Sequence, residues 1–274
     1  MASTDDAGRR GRLPPPAPRE RPLRAVAFDL DGTLYLGNEV VPGAPQMVRL
    51  VRGSGLTALF LTNSTTADAA RLADRLAKLG IAAMTKEIYS SATATARYVA
   101  ERGFGVAYVV GSPGLRGEVA ARGLRLTDRG PEAQVLVVGY VPGFDAATLP
   151  DDFRPGCEFV AANLDVDYPV EGGARLPACR QTVERVAARL GRGHDVVVGK
   201  PETYLLECVE RDLGLTAGEI VVVGDSAASD VAMANAAGCR SILIAPQSSA
   251  DGGASATISR LTDLPAALDV LTGS

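Results

Sequence analysis

Asp29 and Asp31 stand one residue apart at the end of an apolar run, Ala25-Val26-Ala27-Phe28, and Gly32 and Thr33 follow them. Side chains alternate along an extended chain. If the strand persists through Asp31, both carboxylates therefore share a face, and Gly32 supplies the sharp exit that keeps them at the rim. An Asx-rich turn closing a strand has the same composition, so this segment alone leaves both readings open. Leu59-Phe60-Leu61 ends in Thr62-Asn63-Ser64 ahead of a helical pattern. Free backbone N–H groups there suit a phosphate oxygen, although helix capping by Ser64, Thr65 or Thr66 accounts for the same residues. Val196-Val197-Val198 ends in Gly199-Lys200-Pro201, where Pro201 opens a helix without costing a needed N–H and Lys200 is directed to the same rim. Ile220-Val221-Val222-Val223 ends in Gly224-Asp225, with Ser229 and Asp230 close behind. Either of the last two is expected to cap the following helix in addition to any role at the rim.

Gathered together, Asp29, Asp31, Asp225 and Asp230 repel one another, and Lys200 with a divalent cation resolves the conflict. Oxygen-only ligands select a hard ion. Mg²⁺ commonly takes one or two carboxylates, keeps several waters and shares a substrate phosphate, so the charges point to magnesium.

The elements that must position these groups alternate along the chain. Strands are expected at Arg24–Phe28, Thr57–Leu61, Val106–Val110, Val135–Val138, Val196–Val198, Ile220–Val223 and Ser241–Ile244. Helical spacing recurs near Ala67–Leu79, Ala92–Arg102, Gln181–Leu190, Tyr204–Leu213 and Val231–Ala237. Continuous apolar strands between helices predict a doubly wound, parallel α/β sheet, whose ligands collect beyond the carboxyl ends of the strands.

With 274 residues, 46% of them apolar, the chain supports a well-filled core. A net charge of −4 with scattered Lys and Arg offers no stripe for nucleic acid or an anionic membrane, which favours a small-molecule partner. No window approaches the roughly 18 apolar residues of a membrane span. Cys157, Cys179, Cys208 and Cys239 form no C-x-x-C pair and read as reduced thiols of a cytoplasmic protein. Nothing beside Cys179 lowers its pKa, and His194 reads as a loop residue. Residues 1–22, basic and Pro-rich without an apolar core, read as a disordered tail and not as a secretory signal.

The ordered set Asp29-Leu30-Asp31-Gly32-Thr33, Thr62-Asn63, Gly199-Lys200-Pro201 and Gly224-Asp225 with Asp230 resembles the haloacid dehalogenase superfamily, in its NagD-like or nitrophenylphosphatase branch (subfamily IIA). Ala162-Asn163-Leu164-Asp165 is similar to the T-N-P-D element of that branch. The resemblance implies a phosphatase acting on a small phosphomonoester such as a sugar phosphate. Asp29 would be the nucleophile that becomes an aspartyl phosphate, and Asp31 the acid and base. Thr62, Asn63, Ser64 and Lys200 would hold the phosphoryl group. Asp29, Asp31 through its backbone carbonyl, and Asp225 would hold Mg²⁺, with Asp230 in support. It further implies a Rossmann-like core over residues 23–87 and 181–274, an inserted α/β cap over 88–180, and a homodimer formed through the cap. Asp31 argues against dehalogenation, which needs no protonated oxygen leaving group.

The departures bear on substrate choice. Pro177-Ala178-Cys179-Arg180 replaces a P-G-x-G-like turn, and Ser226 and Ala228 replace more polar residues. Arg180 either meets a second anionic group of the substrate or is a solvated first-turn arginine, and Asp165, Asp167 and Arg175 stay equally open. Two other functions share the motifs: a non-catalytic binding or regulatory protein, and a phosphotransferase or phosphomutase that delivers the phosphoryl group to another acceptor.

Overall fold

In the computed structural model, residues 21–245 and 251–273 are described, so the tail expected over residues 1–22 lies almost wholly outside them. Six apolar segments form one parallel sheet in the order Ala256–Ile258, Arg240–Ile244, Ile220–Gly224, Ala25–Asp29, Thr57–Thr62, Ile88–Ser90. The chain starts in the middle, winds out to one edge, and later returns to fill the other. The strand order therefore reverses between Ala25–Asp29 and Ile220–Gly224, which is where an open α/β sheet leaves a crevice at its carboxyl ends.

Strand alternation explains why these runs are apolar throughout. Ala25, Ala27, Leu59, Leu61, Ile220 and Val222 face one buried cluster, while Val26, Phe28, Phe60, Val221 and Val223 face another. Helices Ala44–Gly53, Ala69–Lys78 and Leu264–Thr272 cover the second face through Val48, Val51, Leu72, Leu76, Leu264 and Leu268. Helices Ser91–Glu101 and Tyr204–Leu213 cover the first through Val99, Leu205, Leu206 and Val209. Truncating one of these leucines to alanine costs about 2–5 kcal/mol in a packed core.

A second parallel sheet has the order Val196–Val197, Glu158–Ala161, Val135–Val138, Val106–Val110, Arg125–Leu126. Its inner residues Ala107, Val109, Val135, Val137 and Val160 join the cluster that lies under the first sheet, so the two sheets share one apolar core. Its outer residues Leu136, Val138 and Phe159 pack against Val183 and Val186 of the helix Cys179–Leu190. Two short antiparallel ribbons complete the frame: Tyr35–Leu36 with Glu39–Val40, and Asp167–Pro169 with Arg175–Pro177.

The α/β class and the parallel pairing are as expected, but three segments belong elsewhere than the expected boundaries at residues 88 and 180 place them. Ile88–Ser90 is the edge strand of the first sheet, since Ile88 pairs with Phe60 and Ser90 with Thr62. Helix Cys179–Leu190 packs on the second sheet, because Cys179, Val183 and Val186 are buried against that sheet's outer face. Val196–Val197, expected among the core strands, pairs with Val160 and Ala161 of the second sheet, so Lys200 reaches the rim from there. Helix Ala69–Lys78 is capped by Asp68, whose carboxylate accepts the Arg71 N–H at 2.8 Å, in place of Ser64, Thr65 or Thr66. Among the described residues no helix is long and apolar enough to cross a membrane.

Candidate active site

The strand Ala25–Asp29 delivers Asp29, which is buried, to the carboxyl end of the first sheet, beside the end of Ile220–Gly224. The chain must then leave sharply. Gly32 does so at φ +95°, and a Cβ there would lie 2.2 Å from Asp225 Oδ2, so only glycine lets the loop pass the neighbouring carboxylate. Asp225 follows the strand directly. Asp230 sits in a single π turn, Ala227–Val231, that folds its carboxylate back to accept the Ser226 N–H at 3.2 Å. Ser226, not Ser229 or Asp230, caps this turn by accepting the Ser229 N–H at 3.2 Å.

Lys200 is buried between two of these carboxylates, its Nζ 2.5 Å from Asp29 Oδ1 and 2.7 Å from Asp230 Oδ1. Burial opposes its charge, but Asp230 and Asp29 together outweigh burial and hold the ammonium above the usual lysine range. Burial pushes Asp29 well above the ordinary carboxylate range, and the charges of Asp230 and Asp225 add to the effect against Lys200. Asp225 is pushed up to about 6, by burial first and Asp230 second. Oxygens of Asp29, Asp225 and Asp230 lie within 4.8 Å of one another. Three carboxylates against one ammonium leave negative charge uncompensated in a buried place, and an all-oxygen set of this kind fits a hard divalent cation.

Asp31 is not a side-chain member of that group among the described residues, and its expected part there is through the backbone carbonyl alone. Its carboxyl turns aside and accepts the Tyr35 hydroxyl at 3.3 Å. Burial raises its pKa, against the opposing charge of Arg75 and the Tyr35 hydrogen bond.

The Asn63 side chain is turned to the protein itself. Its Oδ1 accepts the Lys200 N–H at 2.8 Å and the Ser91 hydroxyl at 2.9 Å. Its Nδ2 donates to Asp165 Oδ1 at 2.9 Å and to the Lys200 carbonyl at 3.0 Å. All the hydrogen-bonding capacity of the side-chain amide is used within the protein, so the Asn63 side chain grips the backbone N–H and carbonyl of Lys200. Gly199 makes the grip possible, because a Cβ there would stand 2.3 Å from Ser91 Oγ and 2.5 Å from Asn63 Oδ1. Asn163 completes the link by donating to the Asn63 carbonyl at 2.7 Å and accepting the Asp165 N–H at 3.1 Å.

Thr62 is buried and accepts the Ser64 N–H at 3.0 Å, which curls the loop, and Thr62 and Ser64 both line a cavity of about 790 Å³. Asp29, Asp31, Lys200, Asp225, Asp230 and Arg180 line the same cavity. Arg180 braces its wall, with Nε donating to the Leu164 carbonyl at 3.0 Å. Arg175 pairs with Asp167 at 2.6 Å on the ribbon above. Cys179 is buried, which pushes its thiol up to about 12, and His194 packs edge-on to Phe159.

Sequence reasoning passed over Tyr35, Arg75, Ser91 and Glu171. Ser90-Ser91 ahead of a helical pattern was the available signal for Ser91, as Ser90 is the cap of that helix. Glu171 accepts the Asn38 N–H from the opposite ribbon, a contact between residues 133 positions apart that no local pattern announces.

Residues 26–125 match the haloacid dehalogenase-like hydrolase model, and residues 197–263 match the HAD hydrolase-like model. The chain is 32% identical over 234 residues to chronophin of Rattus norvegicus, covering 80% of this chain and 75% of the relative. It is 31% identical over 249 residues to glycerol-3-phosphate phosphatase of Homo sapiens, covering 80% of this chain and 77% of that one. Its fold matches NagD from E. coli K-12 with a TM-score of 0.75 at 26% identity, over 89% of this chain and 98% of that one. Matched motifs, fold and relatives agree: the chain belongs to the haloacid dehalogenase-like hydrolases, in the NagD and nitrophenylphosphatase branch.

Proposed function

We propose that the protein is a phosphatase that hydrolyses a small phosphomonoester through an aspartyl phosphate on Asp29, with Mg²⁺ as its metal. The observation that carries this is the buried Lys200 ammonium between Asp29 and Asp230, with Asp225 beside them, at the point where the strand order reverses. Relatives named as phosphatases support the class of reaction. Asp29, Asp225 and Asp230, with the Asp31 backbone carbonyl, would hold the cation. When bound, it would neutralise charge shared by the carboxylates and the phosphoryl oxygens.

An Asp29 carboxylate oxygen forms a bond to phosphorus as the ester P–O bond breaks, and Asp31 gives its proton to the departing oxygen. Asp31 then takes a proton from water as the water oxygen bonds to phosphorus and the bond to Asp29 breaks, releasing inorganic phosphate. Lys200 fixes the orientation of Asp29 and offsets the phosphoryl charge, while the Thr62 and Ser64 loop borders the place where that group would sit. The four buried free cysteines suit a reducing compartment such as the cytoplasm, and a homodimer through the inserted cap is the family expectation.

A panel of phosphate esters, assayed with Mg²⁺ and after chelation, tests the reading. Magnesium-dependent release of phosphate that disappears in Asp29→Asn is expected. Absence of hydrolysis across the panel, or hydrolysis unaffected by Asp29→Asn, would overturn it.

A further inference from the structure

Asp31 is held by a device built into the cavity wall, which Gly37 and Arg75 line and Tyr35 backs. The loop after Asp29 folds back on itself: the Gly32 N–H donates to the Tyr35 carbonyl at 2.8 Å, and the Tyr35 N–H donates to the Leu30 carbonyl at 3.2 Å. Asp31 and Tyr35, four positions apart, consequently lie side by side as a bridge, with the Tyr35 hydroxyl 3.3 Å from Asp31 Oδ2. The Tyr35 ring is fully buried among Leu30, Leu34 and Val48. The Arg75 guanidinium lies over it, 4.2 Å from the ring centroid, and also donates to the Gly37 carbonyl just past the ring. The ring therefore has little freedom, and its hydroxyl has a fixed address.

A carboxyl group that must donate a proton along one line has two soft torsions, and a hydrogen bond to one oxygen fixes which oxygen faces the reacting bond. Asp31 takes no part in the three-carboxylate group, so that group does not set its rotation. We propose that Tyr35, locked by Arg75 and the core, is a positioning residue that fixes the rotation of the Asp31 carboxyl for protonation of the leaving oxygen. This rests on the acid–base assignment of Asp31 made above. Tyr35 touches neither substrate nor metal in this account and acts only through Asp31.

The test compares two aryl esters that differ only by a para nitro group, phenyl phosphate and 4-nitrophenyl phosphate, in magnesium-loaded protein. The nitrophenolate leaves without help, whereas the phenolate oxygen needs a proton. kcat/KM reports the steps through departure of that oxygen. Tyr35→Phe keeps the ring and removes the hydroxyl. It is expected to lower kcat/KM for phenyl phosphate about tenfold and for 4-nitrophenyl phosphate less than about twofold, as loss of one hydrogen bond to a charged group predicts. Because the result is a ratio within one sample, a loss of folded protein lowers both values alike and cancels. Asp31→Asn should give the same selectivity, larger in size. If Asp31→Asn is selective and Tyr35→Phe changes both esters equally or neither, the Tyr35 proposal is overturned while the acid–base assignment stands. If Asp31→Asn is itself unselective, the assignment fails and the proposal with it.

Discussion

Asp29, Thr62 and Asp225 stand at the carboxyl ends of the first sheet, whereas Gly111, Gly139 and Ala162 occupy the matching ends of the second. Both sheets are parallel, both are apolar along their strands, and they share a core, so the contrast at their ends is a division of labour. The first sheet ends in the groups proposed to react. The second ends in small residues that let it come close: a Cβ on Gly139 would stand 2.6 Å from Leu115 Cδ2 and 3.1 Å from Thr65 Oγ1. Only beyond those small ends does it extend Asn163, Asp165 and Lys200 across the junction, where Asn63 binds them. The carboxylates proposed to react thus belong to the first sheet, and Lys200 reaches them from the second, held by Asn63 of the first.

Substitutions at the two ends should separate these roles, and the largest effect belongs to the reacting side. Asp29→Asn should lower kcat by about 10⁴-fold or more in a phosphate-release assay while leaving the melting temperature within a few degrees of the parent, since loss of a nucleophile is far costlier to turnover than to folding. Comparable activity in the variant would break the division at its centre. Asn63→Ala should lower kcat by about 10²-fold, because Lys200 loses the grip on its peptide and a shift of about 1 Å suffices for that. Its melting temperature should fall as well, which Asp29→Asn does not share. Gly139→Ala strikes position alone: the crowding costs about 1–3 kcal/mol in denaturant unfolding, with kcat of the folded fraction changed less than Asn63→Ala changes it. Arg175→Ala should matter least. Its partner Asp167 is exposed to 37% and Arg175 itself to 55%, so stability should move by less than about 1 kcal/mol, and any effect should fall on KM for an anionic substrate.

The same division explains what could be read from the sequence. Asp29, Asp31, Lys200 and Asp225 are charges at the ends of apolar runs, an anomaly that a single sequence displays, and the strand periodicity around them gave most of the first sheet. The positioning residues carry no such mark. Asn63 looks like a phosphate ligand because an amide in a strand-end loop is chemically suited to that task. Only the closeness of Ser91, Asp165 and Lys200, brought from 28, 102 and 137 positions away, shows its donors and acceptors already engaged. Val196–Val197 reads as a core strand because its composition does not say which neighbour it pairs with, and its pairing with Val160 and Ala161 is a long-range choice. The short strands Ile88–Ser90 and Ala256–Ile258 were passed over because three residues are too few to establish an alternation.

The proposed intermediate is a bond between Asp29 and phosphorus. Asp31→Asn, slowed in the hydrolytic step, can be mixed with 4-nitrophenyl phosphate and Mg²⁺, quenched in acid within a turnover, digested, and examined by mass spectrometry. A phosphoryl group on Asp29, present in proportion to the nitrophenol released, is the expected result. Release of nitrophenol with Asp29 unmodified, or a phosphoryl group carried by a different residue, would contradict the account.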